Sequence, residues 1–222
     1  MMFRTTIQPI TDTAAIEEAF VLLAAGEIIA APTDTVYGLM CLFDRADAIE
    51  KLYIAKGRPL QKAIPVLIGD VAQLAQLTPQ PLPPPAQTLT HRFWPGPLTV
   101  VLPALPSLPS NLTAGQPTVG VRWPAHAALC ALIRRAGPLA ATSANRSGEP
   151  EARTAADVMD QLGGHVPLIL AGDPPATRSP HVSAPSTVVD VTQMCDGLPK
   201  ILRPGPLADA IRTLFAQPHE SE

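Results

Sequence analysis

Five short polar stretches carry the side chains with which this 222-residue chain could do chemistry. They are "PTDTVYGL" (32–39), "KGRP" (56–59), "VRWP" (121–124), "TSANRSG" (142–148) and the pair "STVVD" (186–190) and "LRPG" (202–205). Each follows an apolar strand-like run or closes a helix-like one. Loops beyond the strand ends of α/β proteins gather backbone N–H groups and helix termini, so ligands bind there. Lys56 and Arg58 could neutralise phosphate oxygens, the arginine as a planar fork and the lysine as a point charge. At a helix C-terminus they would equally suit the helix dipole. Ser143 and Asn145 sit among small residues whose N–H groups could nest a phosphate or carboxylate, although an ordinary Ser/Asn turn has the same composition. Arg122 and Arg203 each close an apolar strand and need a partner, because a buried charge is costly. Thr33 opens a stretch richer in hydrogen-bonding groups than a plain solvated turn requires.

Many common catalytic signatures are missing from the sequence. It contains no GxxxxGK[ST] loop, no GxGxxG after a strand, no HExxH and no GxSxG. The five histidines show no metal-ligand spacing, and His126, where a helix begins, reads as a structural or capping residue rather than a ligand. Catalysis here would rest on positioning and charge neutralisation rather than on a covalent nucleophile or a structural metal. Cys41, Cys130 and Cys195 are far apart and form no CxxC pair, which suits buried thiols in a reducing cytoplasm. The N-terminal residues lack a signal-peptide core, and no apolar run approaches the ~20 residues that span a bilayer.

The net charge of −3 hides an asymmetry. Residues 51–153 hold ten lysines and arginines against three acids (Asp70, Glu149, Glu151), a balance of +7, and the rest of the chain carries −10. Such a basic middle suggests a polyanionic partner, a nucleotide phosphate chain or a nucleic acid. Scattering over solvated faces would give the same count.

The elements that must position these groups alternate along the chain. Helices are expected at "TDTAAIEEAFVLLAAGE" (Ile16, Phe20 and Leu23 inward), "DRADAIEKLYIAKG" (Asp44 as N-cap), "DVAQLAQL", "AQTLTHRFW", "AHAALCALIRRAG", "TAADVMDQLG" and "PLADAIRTLFA". Strands are expected at "EIIAA", "AIPVLIG", "LTVVLPA", "TVGVRW", "PLAATSAN", "VPLILAG", "STVVDVT" and "KILRPG". The proline-rich "PQPLPPP" reads as an exposed stiff connector. Hydrophobic content of 46% with 16% charged residues fits a packed protein. The expected class is α/β with a mixed, mostly buried sheet in one domain over residues 1–222, its core at about 10–207 and a tail at 208–222.

In this order the motifs, together with "WPGPLT" (94–99), resemble the YrdC-like family of threonylcarbamoyl-AMP synthases, whose pattern runs PTxTxYGL, KxRP, WPGPxT, VRxP, SAN, STxxD and LRxG. The match covers about residues 10–207, and the chain looks like the family's short form. The resemblance implies a twisted open α/β sheet with a large basic concave cleft. It implies synthesis of threonylcarbamoyl-AMP from L-threonine, bicarbonate or CO2, and ATP with Mg²⁺, releasing pyrophosphate. A separate transferase complex would then pass the group to tRNA. On the matching positions it implies that Thr33 contacts threonine, and that Lys56 and Arg58 hold the triphosphate and drive catalysis. Arg203 would support the nucleotide. Arg122 would pair with the substrate carboxylate, and Ser143, Asn145 and Ser186 would line the carbamate and phosphate region. "LQKAIPVLI" after KGRP departs from the polar loop of many relatives. Two other readings stay open: a non-catalytic module for double-stranded RNA or tRNA, and a paralogue acting on another carbamoyl or acyl-adenylate substrate.

Overall fold

The computed structural model describes residues 4–172, 184–195 and 198–216. Its strands are β1 (Thr6–Pro9), β2 (Ile29–Ala31), β3 (Gly38–Leu42), β4 (Val66–Leu67), β5 (Leu98–Pro103), β6 (Thr118–Arg122), β7 (Leu139–Ser143), β8 (Leu168–Ala171), β9 (Thr187–Cys195) and β10 (Leu198–Arg203). They join in one sheet in the order β1-β8-β2-β3-β7-β4-β6-β5-β9-β10. The helices are α1 (Thr13–Ala24), α2 (Ala46–Lys56), α3 (Pro84–Phe93), α4 (Ser110–Thr113), α5 (Ala127–Ala136), α6 (Ala155–Leu162) and α7 (Ala208–Ala216), with a 3₁₀ turn at Val71–Gln76. The sheet is mixed as expected: β2, β3 and β7 run antiparallel in sequence, whereas β4 pairs parallel with β6 and β5 parallel with β9.

Successive residues of the central strands enter two separate cores. Ala30, Leu39, Cys41, Ala140 and Ile169 face the core beneath α2, α3, α6 and α7. Ile29, Met40, Leu139, Ala141 and Leu168 face the core beneath α1 and α5. Strand side chains alternate between faces, so a strand covered on both sides must be apolar throughout. That is why "EIIAA" and "PLAA" show no polar alternation. Leu67 and Ala141 belong to the second core yet also floor an open cleft. The cleft therefore lies on the α1/α5 face, where those helices cease to cover the sheet.

Several elements differ from their sequence expectation for physical reasons. The inner face of α1 is Ala15, Ala19 and Leu23, with Ile16 and Phe20 only half-buried beside it. Small side chains let α1 lie close to the sheet and α5, and the larger ones pack at the edges. Asp44 does not cap α2: Arg45 takes the N-cap position without a side-chain cap bond and pairs with Asp47. The last prolines of "PQPLPPP" begin α3 rather than a connector, because a helix's first turn has no use for their missing N–H. β1, β3 and α4 had no counterpart in the sequence reading, and the run "AIPVLIG" yields only the two-residue β4. His126 does cap α5, its Nδ1 accepting the Leu129 N–H at 3.2 Å. Cys41 and Cys130 are buried free thiols, and burial pushes Cys41 up to about 12. The side chain of Cys195 and residues 217–222 of the expected tail lie outside the described residues.

Gly69 marks the tightest join between the sheet and α5. A Cβ there would lie 2.4 Å from the Cys130 carbonyl oxygen and 2.9 Å from Arg134 N, both backbone atoms of α5. Gly69→Ala should lower stability by about 2 kcal/mol through overpacking, read as a melting temperature several degrees lower. An unchanged melting temperature would mean that α5 can move away from the sheet freely.

Candidate active site

The α2 helix ends at Lys56, and Gly57 turns the chain in the left-handed conformation (φ 62°) that a glycine adopts without strain. Lys56 is 5% exposed. Its Nζ donates toward the Ser143 carbonyl (2.6 Å), the Asn145 carbonyl (2.6 Å), Asn145 Oδ1 (3.0 Å) and Ser143 Oγ (3.2 Å). Four acceptors thus share three ammonium protons. Asn145 is held in turn, its Nδ2 donating to the carbonyls of Arg146 (2.9 Å) and Glu149 (2.7 Å). Burial first, and Arg58 second, lower Lys56 to about 8, and Glu151 partly opposes them.

Arg58 lines the cleft while its Nε and Nη2 hold the carbonyls of Lys62 (3.1 Å) and Ala63 (2.8 Å). The Tyr53 hydroxyl lies 2.9 Å from the same Lys62 carbonyl. The "LQKA" segment is therefore tied down by the arginine that lines the cleft. From the other end of the chain comes Arg203, with Nε and Nη2 on the Ser186 carbonyl (3.0 and 2.8 Å) and Nη2 on Ser186 Oγ (3.0 Å). Ser186 Oγ also meets Thr99 Oγ1 at 2.8 Å. Partial burial lowers both arginines from their usual values, but a guanidinium stays charged.

The opening motif is a wall closed from within. Thr33 Oγ1 donates to the Val36 carbonyl (2.7 Å) and accepts the Thr35 N–H (3.0 Å). Arg122, expected to meet a substrate carboxylate, meets one from its own chain: Nη2 donates to Asp34 at 2.6 Å, with side-chain exposures of 7% and 9%. Its Nη1 reaches Thr35 Oγ1 (2.9 Å) and its Nε the Gly96 carbonyl (3.1 Å). Tyr37 is tied to Gly172 through its hydroxyl and backs this wall.

The structure thus brings Thr33, Arg58, Arg122, Ser143, Ser186 and Arg203 to one open cleft of about 170 Å³. Lys56 and Asn145 stand behind it and act on it through Ser143. A larger hollow of about 580 Å³, bounded by Leu74, Trp94 and Trp123, has no lysine, arginine or carboxylate in its lining, so charge rather than size selects the site. The other basic residues of the +7 stretch are dispersed: Lys51 pairs with Glu27, Arg135 with Glu17, and Arg134 donates to the Gly69 carbonyl. Sequence reasoning did not single out Asp34, Thr35, Thr99 or Glu151. The first three lie inside quoted motifs, and Glu151 was visible as one of three acids in a basic stretch.

Thr33, the Lys56–Arg58 pair, the SAN loop and the Ser186–Arg203 contact all lie within the span that one recognised family model matches. That model, Sua5–YciO–YrdC, described as telomere recombination, matches residues 21–205. The chain belongs to the Sua5/YciO/YrdC family. It is 43% identical over 197 residues to the threonylcarbamoyl-AMP synthase of Bacillus subtilis, covering 88% of this chain and 54% of that protein. With the Pyrococcus abyssi synthase it shares 39% over 198 residues, covering 86% and 56%. With a putative threonylcarbamoyl-AMP synthase of Mycobacterium tuberculosis it shares 37% over 186 residues, covering 84% and 82%. The chain therefore spans about half the length of the first two relatives and most of the third. The structure of P. abyssi Sua5 complexed with L-threonine matches with a TM-score of 0.83 at 34% identity over 96% of this chain and 61% of that one. E. coli YciO matches with a TM-score of 0.74 at 23% identity over 92% and 95%, a likeness of fold.

Removing one partner of the Arg122–Asp34 pair leaves a buried charge alone. Arg122→Met should cost about 3 kcal/mol, measured by denaturant unfolding. A cost below about 1 kcal/mol, the usual worth of a surface pair, would contradict the buried geometry. A heteronuclear NMR titration of Lys56 Nζ should show its proton leaving near pH 8, since its value is lowered to about 8. A midpoint in the ordinary lysine range would show that the four acceptors outweigh burial.

Proposed function

We propose that the cleft makes threonylcarbamoyl-AMP from L-threonine, bicarbonate or CO2, and ATP, as the named relatives favour over a non-catalytic RNA-binding role. The observation that carries this reading is the convergence of Arg58 and Arg203 on one cleft with Thr33 and Ser143, far apart in sequence. The neutral threonine amine forms an N–C bond to CO2 and gives up one proton to water, leaving a carbamate anion. A carbamate oxygen then forms a bond to the α-phosphorus of ATP as the bond to the bridging oxygen breaks and pyrophosphate leaves. Two anions must approach, so catalysis depends on positioning them and spreading their charge.

In this reading Arg58 and Arg203, which both line the cleft, face the phosphates. The Ser143 hydroxyl and the SAN loop, held in place by Lys56 and Asn145, shape the floor. Thr33 and the wall fixed by Arg122 bound the threonine side, and Ser186 orients Arg203. Mg²⁺ would enter on the phosphate oxygens with its own water and supply charge neutralisation there. The product would pass to a separate enzyme that modifies tRNA. The buried thiols Cys41 and Cys130 suit a reducing cytoplasm, and among the described residues no helix is long and apolar enough to cross a membrane.

Purified protein given ATP, bicarbonate and Mg²⁺ should release pyrophosphate only when L-threonine is added. Release without threonine, or none with it, would overturn the proposal. Arg58→Ala should lower the rate about a hundredfold with little change in melting temperature, because its protein contacts are two carbonyls of an exposed loop and the Tyr53 side chain, which keeps its own bonds to Lys62 and Asn111. The rate should also decline as pH rises through about 8, where Lys56 loses its proton and its grip on the SAN loop.

A further inference from the structure

Glu151 is the one carboxylate among the described residues that line the cationic cleft. It does not reach the cleft by loop accident, because the chain is fixed on both sides of it. The carbonyl of Pro150 accepts a hydrogen bond from Gln161 Nε2 at 3.0 Å, and the carbonyl of Glu149 accepts one from Asn145 Nδ2 at 2.7 Å. Ala152 is fully buried, and its carbonyl accepts the Tyr37 N–H at 3.0 Å. Two residues further on, Thr154 opens α6 with a capping box. Glu151 is thereby held against the same cleft that Arg58 and Arg203 line, and its charge favours the ionised forms of Lys56 and Arg203.

An anion-binding cleft with a built-in carboxylate is a physical contradiction unless the carboxylate does something. With no ligand bound, it offsets the mutual repulsion of Lys56, Arg58 and Arg203. With a ligand present, it opposes negative charge, and the opposition grows with the ligand's net charge. We propose that Glu151 is a charge-selective residue of the cleft, disfavouring free nucleotide and free pyrophosphate relative to the less highly charged magnesium complex, without touching the metal. The selection is useful on both sides of the reaction: it admits the nucleotide in its magnesium form and speeds departure of pyrophosphate. The inference rests on the nucleotide reading of the cleft given above.

Isothermal titration calorimetry on the full chain and its Glu151→Gln variant tests it with three probes: ATP with a chelator, ATP with excess Mg²⁺, and inorganic pyrophosphate. Glu151→Gln keeps the side chain's shape and removes its charge. The variant should bind magnesium-free ATP and pyrophosphate about tenfold tighter and the magnesium complex about threefold tighter or less. Glu151→Asp, which keeps the charge, should retain most of the wild-type selectivity and so separates charge from packing. Weaker binding of the magnesium complex by Glu151→Gln would make Glu151 a metal ligand and overturn the proposal. An equal change for all three probes, or none, overturns it as well. If the wild-type protein binds none of the probes, the nucleotide reading falls together with the inference. If it binds them and the ratio does not move, the inference falls alone.

Discussion

A lysine ammonium taken out of water persists only where other groups replace its hydration. At Lys56 those groups are two backbone carbonyls, an amide oxygen and a hydroxyl, all from Ser143 and Asn145. This contact joins the C-terminal end of α2 to the loop that leaves β7, and the other parts of the site are set by it. Two residues beyond Lys56 the chain presents Arg58 to the cleft. Beyond Asn145 the loop runs through Glu149 and Glu151 to the start of α6, held at each step by hydrogen bonds to its carbonyls. Burial lowers Lys56 to about 8, so the contact sits near the pH at which it would weaken.

The same economy recurs in the three arginines. Each is both scaffold and charge. Arg58 ties down the loop at Lys62 and Ala63, Arg203 holds Ser186, and Arg122 clamps Asp34, Thr35 and the Gly96 carbonyl. A guanidinium can serve both purposes because its five donors point along fixed directions, so some remain for a ligand when others are used by protein. Arg122 is the most deeply committed of the three. Its pairing with Asp34 makes it part of the wall, which accounts for the opening motif's wealth of hydrogen-bonding groups: Thr33, Asp34 and Thr35 form an internally satisfied turn with its outer surface turned to the cleft.

The sheet's helices and most strands were legible because apolar runs bounded by glycine, proline and capping residues leave few alternatives. β7 is legible in "PLAATSAN", and the place of His126 just before an apolar helical run is enough to mark it as a structural or capping residue. What escaped was short or contextual. β3 lies inside a motif whose polar first half suggests a loop, and α4 has only four residues. β4 keeps two of seven expected residues because Pro65 and Gly69 bound it. The basic middle of the chain was counted correctly but not placed. Lys51, Arg134 and Arg135 serve helix packing and surface pairs elsewhere, since charge along a sequence says nothing about the direction a side chain takes from its helix.

By itself the sequence determined the alternation of strands and helices, the two-sided burial of the sheet, and the set of polar motifs that could form a site. Local chemistry suffices for those: period, capping and the cost of burying charge act within a few residues. Tertiary structure alone decided which partner each charge would find. Asp34 and Arg122 are separated by 88 positions and Lys56 and Asn145 by 89, and only strand order brings them within hydrogen-bond distance. It also decided that Lys56 braces the site from behind while Glu151 enters it, because pinning by Gln161 and Tyr37 fixes the direction of a residue whose type was all the sequence could state.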